Sequence, residues 1–598
     1  MAFNQNKANA GAGAVKRVQV WFGLLVLIVG IFGVRLFYVQ VIRYDHFKQA
    51  ALHNQLKQKQ IPASRGIIEA YDGNSVVPIV LNQTLYTIFA DPVDMKTYHT
   101  DPQKVAAAAA SVLGGKYSDY EQAVTAQHTR YSILAKKVSK AQRDKLMGYK
   151  FAGLYSEAQD YRIYPQGDLA AQTLGFVNAN GQGEYGVEQA MNKQLAGQPG
   201  ELKAITDLNG VPLAASSGNV QRPPVAGDTV TLTLDIGMQA QMQKILKDEY
   251  KKTESQGLSA VILDANSGQI KAMASYPSYN PANYGNTGNP KYFENGAVTD
   301  AIEPGSTMKL LTTAAAIDQG VIGPNTTFYD PAHWIVDGFN ITDIEEDGGA
   351  RVQSIKSLLN LSLNTGATWE LMQMGGGKID AKARDAWHDY MVNHFLLGHP
   401  TNIAQGYESA GYVPGPEQNG AGINLTYANT SFGQGVLVTP LQMAAADASI
   451  LNGGTYYQPH VVAKITHADG SSQTIKPKVL VQHTVSAKTS SDMPGLMEYV
   501  VQGHLDSGYE YLRFSSKYSV GGKTGTAQIA KPGGGYYADK FNGTYAGFVG
   551  GDHPQYVIVV YNIQPGVGGY AGSNGGQPVF ADLAHMLIDG GYVMPKSQ

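Results

Sequence analysis

Cysteine is absent from this 598-residue chain, which excludes disulfide scaffolds, thiol nucleophiles and thiolate metal sites. Charge is sparse: Asp, Glu, Lys and Arg make up 16% of the residues, where about a quarter is usual. The 45 Lys and Arg nearly balance the 48 Asp and Glu, leaving −3, so there is no basic excess suited to a phosphate backbone. No internal repeat of a solenoid is visible. None of the 14 His lies in H-E-x-x-H, and no G-x-S-x-G anchors a Ser-His-Asp order. Only one segment is apolar enough to span a bilayer, which excludes a polytopic membrane protein. What is present is 43% hydrophobic residues, 69 Gly and 36 Tyr against 17 Phe. Such a chain can bury a large core, with many turns and half-wet aromatic surfaces.

The apolar segment runs without interruption from Val20 to Val34, and on to Ile42 broken only by Arg35 and Gln40. Crossing a bilayer takes about 20 apolar residues, and the longer stretch suffices if Arg35 snorkels to the headgroups. Lys7, Lys16 and Arg17 precede it, and no acidic residue occurs before Asp45. That asymmetry predicts a cytoplasmic tail over 1–17, a membrane helix over 18–42, and everything beyond on the far side. A cleaved signal peptide is the competing reading, but no small-x-small site closes the apolar run.

Tyr44 to Gln60 reads as a polar helix. Residues 61 to 225 mix short strand-like runs with helical stretches such as Val105 to Leu113. Ala214 to Asp228 is rich in Ser, Gly and Pro, which marks a domain boundary. Beyond it TVTLTLD alternates as a strand, IGMQAQMQKILKDEYKK is an amphipathic helix, and LSAVILDANSGQIKAMAS is a hairpin turning at Asn266-Ser267-Gly268. Gln564 to Pro578 reads as a Gly-rich loop.

Three short motifs carry chemistry. Ser306-Thr-Met-Lys309 follows Glu303-Pro304-Gly305 and opens a helical run, so Ser306 is expected near a helix N-terminus. Positions i and i+3 share a helix face, which brings the Lys309 amine to the Ser306 hydroxyl. Orphan N–H groups there favour a developing anion. A lysine activates a serine only if burial or a second cation lowers its pKa. Ser362-Leu363-Asn364 sits at a helix–turn–helix break, where hydroxyl and amide face one cleft. Lys523-Thr524-Gly525-Thr526 lies on a strand whose ammonium and hydroxyls suit a substrate carboxylate, with backbone N–H groups pairing an extended peptide. It is no P-loop, because position 517 is Lys where that motif needs Gly. Each motif alone reads first as capping or surface chemistry. Asp343, Glu345, Asp347 and Gly348 imitate the start of an EF-hand, but position twelve is Ser354. They read as a solvated loop, and no metal site is expected.

The order S-x-x-K, S-x-N, K-T-G resembles the penicillin-binding proteins and serine β-lactamases. Ser64-Arg65-Gly66-Ile67-Ile68 with Asp72-Gly73, then Arg162-Ile-Tyr164-Pro165-Gln-Gly167 and Gly186-Val-Glu188, are similar to pedestal motifs of the class B branch. Glu303-Pro304-Gly305-Ser306-Thr307 and Gly433-Gln-Gly435 with Thr439-Pro440-Leu441-Gln442 extend the likeness. The family usually has Asp-Arg where this chain has Glu69-Ala70, and Ser where it has Leu363. The resemblance implies an α+β chain with a single N-terminal transmembrane helix and an elongated mixed pedestal over 43–225, used for dimerisation or partner docking. A transpeptidase domain over 226–598 would hold a five-stranded antiparallel sheet flanked by helices.

It also implies a monofunctional peptidoglycan D,D-transpeptidase of the septal division type, acting through a serine acyl-enzyme that β-lactams trap. Ser306 would be the nucleophile and Lys309 its base, with Lys523 nearby as a cation. Ser362 would relay the proton and Asn364 hold the peptide amide. Thr524, Gly525 and Thr526 would bind substrate, and the backbone N–H groups of Ser306 and Thr526 would form the oxyanion hole. No cofactor or metal is implied. The partners implied are D-Ala-D-Ala stem peptides with an amine acceptor, β-lactams, and a membrane glycosyltransferase with other cell-wall synthesis proteins. Still open are an elongation-type transpeptidase, a membrane-anchored carboxypeptidase or β-lactamase, and a non-catalytic β-lactam sensor or scaffold.

Overall fold

The computed structural model describes residues 8–45, 56–205, 220–343, 349–417 and 422–597. Packing divides the chain into two units, Met1–Ala63 with Gln198–Val225, and Ser64–Gly197 with Ala226–Gln598.

The first unit opens with helix α1 (Ala8–Phe37), which runs into a π-helical turn at Tyr38–Ile42. Val18–Ile42 is 25 residues long and apolar enough to cross a membrane, and none of it is buried within the protein. Two residues of the expected Tyr44–Gln60 helix, Tyr44 and Asp45, are helical, and residues 46–55 lie outside the described ones. Its end is instead a strand, Leu56–Ile61, paired antiparallel with Gly200–Ile205, which in turn pairs with Val220–Arg222. A distant partner's backbone hydrogen bonds override the weak helical preference of a polar segment. The Ala214–Asp228 boundary falls partly outside the described residues, as does the head of the tail assigned to 1–17.

In the second unit, β1 (Ile68–Asp72) and β2 (Ser75–Ala90) form a hairpin turning at Gly73. β2 pairs with β3 (Leu154–Ile163) and with Ser132–Val138. On its other side β1 pairs in parallel with β4 (Thr229–Asp235), the predicted TVTLTLD strand, and β4 continues to Val462–Thr466. One sheet therefore contains strands from both sides of residue 226. The three pedestal motifs converge on a buried ion triad. Arg65 Nη2 lies 2.6 Å from Glu188 Oε2, and Arg162 Nη2 lies 2.9 Å from Glu188 Oε1. Asn192 and Asn82 take further guanidinium hydrogens.

Helix α2 (Ile236–Lys252) follows β4, and β5 (Gly257–Asp264) and β6 (Ile270–Tyr276) form the expected hairpin. Helices α3 (Lys309–Asp318), α4 (Ile355–Leu361), α5 (Asn364–Met374), α6 (Pro440–Leu451) and α7 (Ala487–Asp506) precede β7 (Ser519–Ala530), β8 (Tyr536–Gly550) and β9 (Pro554–Ile563). Helix α8 (Gln577–Asp589) closes the chain. The five strands run in the order β6-β5-β9-β8-β7, all antiparallel. Strand alternation sorts the core into two layers. Ala260 and Ile262 pack with Met242 of α2 and Phe580 of α8, while Val261 and Leu263 join Leu311 of α3 and Met443 of α6. The Gly-rich stretch expected as a loop is one over 564–570 and then forms a π-helical turn at Gly572–Gly576 leading into α8. Small residues are required there: a Cβ on Gly572 would stand 2.5 Å from Gly525 O.

Candidate active site

Pro304 and Gly305 break the chain, and a 3₁₀ turn over Gly305–Met308 leads into α3. Gly305 has φ +60°, which favours glycine, and its missing side chain lets the turn lie against the backbone of Thr526. The Gly305 N–H donates to Gly433 O (3.0 Å), so the G-Q-G segment abuts the turn. Thr307 and Thr544 both donate hydroxyls to Pro304 O, at 2.9 and 2.7 Å. The turn that presents Ser306 is thus held from three sides, while Ser306 itself is half-buried.

Lys309 is 0% exposed. Its Nζ lies 3.1 Å from Ser306 Oγ, 3.3 Å from Ser362 Oγ and 2.9 Å from Asn364 Oδ1, and it also donates to Ser362 O. The expected break is real: α4 ends at Leu361, Ser362 takes φ +60°, and α5 starts at Asn364. A serine in that left-handed conformation is strained, and here it turns both its carbonyl and its hydroxyl toward Lys309. Leu363 faces the core, so the middle position of the motif serves packing.

Lys523, also fully buried, lies on edge strand β7, where its Nζ donates to Thr524 O (3.0 Å) and Thr524 Oγ1 (3.3 Å). Thr524 and Thr526 alternate with buried Lys523 and Gly525 and are half-buried. A Cβ on Gly525 would lie 2.2 Å from Thr544 Oγ1 and 2.6 Å from Pro304 O. Glycine is what lets β7 approach the Ser306 turn. Thr526 Oγ1 accepts from the Gly572 N–H (3.0 Å). Ser306, Lys309, Ser362 and Asn364 therefore form one cluster, with Gly525 and Thr526 beside its turn.

Several supporting residues have roles that the sequence did not show. Glu303 Oε1 accepts from the Gly435 N–H (2.8 Å) and the Tyr536 hydroxyl (2.9 Å), and burial raises its carboxyl. Asp343, expected in a solvated loop, instead accepts from the Thr365 N–H (3.0 Å) and hydroxyl at the start of α5. Of its neighbours, Glu345, Asp347 and Gly348 lie outside the described residues. His504 of α7 approaches Gln577 at 2.6 Å. Burial, reinforced by Lys523, pushes its imidazole down to about 4, against a hydrogen bond at the Asn360 backbone. A capping Asp and a buried His look like ordinary surface residues in one dimension.

A family of penicillin binding protein transpeptidase domains matches residues 258–585, and a penicillin-binding protein dimerisation domain matches 60–232. Stage V sporulation protein D of Bacillus subtilis is 29% identical over 544 residues, covering 90% of this chain and 80% of its own. The peptidoglycan D,D-transpeptidase FtsI of Escherichia coli K12 is 28% identical over 577 residues, covering 95% and 90%. The crystal structure of penicillin-binding protein 3 of Mycobacterium tuberculosis, complexed with aztreonam, superposes with a TM-score of 0.66 at 25% identity, covering 90% and 98%.

Proposed function

The chain belongs to the penicillin-binding protein transpeptidases, and from that premise we propose that it is a class B peptidoglycan D,D-transpeptidase of the septal type, cross-linking stem peptides through a Ser306 acyl-enzyme. The observation that carries this reading is the buried Lys309 amine, 3.1 Å from Ser306 Oγ. Two of its partners, Ser362 O and Asn364 Oδ1, can only accept. With those two oxygens taking N–H bonds, a neutral amine would keep its lone pair for the Ser306 proton. Burial disfavours the ammonium.

Ser306 Oγ attacks the carbonyl of the D-Ala-D-Ala bond as its proton moves to Lys309. The C–O bond forms, and the C–N bond breaks as Ser362 passes its proton to the departing D-Ala amine and takes one from Lys309 in return, which leaves Lys309 neutral again. The backbone N–H groups of Ser306 and Thr526 hold the oxyanion, a contribution of about 3–4 kcal/mol per donor. Asn364 orients the peptide amide, Lys523 attracts the terminal carboxylate, and Thr524, Gly525 and Thr526 seat the backbone. An amine from a neighbouring stem then attacks the ester and gives its proton to Lys309; the C–O bond breaks as Lys309 passes that proton to Ser306 Oγ. β-Lactams enter the same path as mimics of the dipeptide and stop at the ester.

α1 anchors the chain with its N-terminus in the cytoplasm and the catalytic domain (226–598) outside. The domain over 43–225 docks a membrane glycosyltransferase that supplies glycan strands. Labelling membranes with a fluorescent penicillin tests the chemistry. The wild type is expected to label for hours and Ser306→Ala not at all. Persistent labelling of the variant would remove Ser306 as nucleophile, and an adduct lost within seconds would favour a β-lactamase.

A further inference from the structure

The helices that carry Lys309 and Asn364, α3 and α5, hold a second polar rung one turn farther along. Thr313 lies four residues past Lys309, and its hydroxyl sits 2.9 Å from Glu370 Oε1 and 3.1 Å from Oε2. Glu370 is fully buried, and no step of the chemistry above uses it. Burial pushes its carboxyl up to about 8, against the Thr313 hydrogen bond and the Lys309 charge, which pull it down.

Charged groups on the other elements packed on α5 are engaged elsewhere or face solvent. Lys356 of α4 lies over the Tyr499 ring. In the helix Ala381–Asp389, Arg384 donates to Asn424 and Pro416 O, His388 meets the Tyr427 hydroxyl, and Lys382, Asp385 and Asp389 are exposed. The helix Ile423–Ser431 has no ionisable residue but Tyr427, and the strand Phe339–Thr342 has none. Asp318, at the end of α3, accepts from Tyr390 and Ser486. Lys309 is the charge that acts on Glu370.

We propose that Glu370 is a positioning residue that sets the protonation of Lys309, sparing its lone pair while a neutral acid and holding it as an ammonium once a carboxylate. The inference rests on Lys309 being the base for Ser306. The two groups titrate as a coupled pair. Below the point where Glu370 ionises, Lys309 behaves as it would beside a glutamine. Above it, the carboxylate raises the affinity of Lys309 for its proton and slows acylation relative to a chain without that charge.

The test is the rate of acylation of the full chain by a fluorescent penicillin, followed from pH 6 to 10 for the wild type, Glu370→Gln and Thr313→Val. Wild type and Glu370→Gln are expected to agree within about twofold below pH 7, with Glu370→Gln several-fold faster above pH 8.5. Thr313→Val removes a hydrogen bond that favours the carboxylate, so its departure from the Glu370→Gln profile moves to higher pH. Parallel profiles for wild type and Glu370→Gln, or a Thr313→Val profile unshifted from wild type, would overturn the proposal. If Glu370→Gln does not fold, Thr313→Val decides alone. Ser306→Ala labelling tests the acyl-enzyme separately, so parallel profiles in variants that still label count against Glu370 and not against Ser306.

Discussion

In the proposed mechanism Lys309 acts on Ser306 only as a neutral amine. A lysine ordinarily titrates near 10.4; complete burial works against its charge. His504 extends this logic to the neighbouring wall. Its folded pKa, lowered to about 4, lies below the value of about 6.5 for an unfolded imidazole. Between these values the unfolded chain binds a proton that the folded chain refuses, so acid destabilises the fold through this group. Above pH 6.5 both states are neutral and the contribution vanishes. His504→Gln is therefore expected to lose less thermal stability than wild type between pH 6.5 and pH 4. Equal losses in differential scanning calorimetry would show that His504 is not the group responsible. Residues of this kind are hidden in the sequence, because burial and not residue type makes a histidine or glutamate unusual. Ser306, Lys309, Ser362 and Asn364 are legible because each motif is local and helix geometry fixes what three or four residues can reach.

Among the elements, helix and strand identities around the site are readable wherever a period or a breaker marks them. Pro304-Gly305 announces the turn before α3, and the alternation of TVTLTLD announces β4. Leu56–Ile61 is not readable, since its strand character comes from pairing with Gly200–Ile205, well over a hundred residues away. The same limit hides Asp343, whose role depends on meeting Thr365. The Arg65–Glu188–Arg162 triad joins three segments that the sequence shows only as separate motifs. Glu188 is 0% exposed and faces both guanidiniums. Glu188→Gln keeps the shape and leaves two buried cations without a counter-charge, a change expected to cost about 3–5 kcal/mol. Urea unfolding of the variant measures it. A loss under about 1 kcal/mol would mean that solvent screens the triad as it does a surface pair.

At the scale of the whole molecule, the described residues hold one apolar helix, a sheet shared across residue 226 and a five-stranded sheet beside the site, and the proposed chemistry depends on distant segments meeting. Ser306, Ser362 and Thr526 come from well-separated stretches, so a loss of packing anywhere between them reaches the site. The fixed order of three motifs along the chain makes this convergence legible from residue types alone. The side chains that hold it, Glu303, Asp343 and Thr544 among them, are not, because they act through contacts that only folding creates. The most direct test is to treat the full chain with a penicillin and map the adduct by mass spectrometry of its peptides. The account predicts a single penicilloyl ester, carried by the peptide containing Ser306. An ester on any other residue, with Ser306 unmodified, would contradict it.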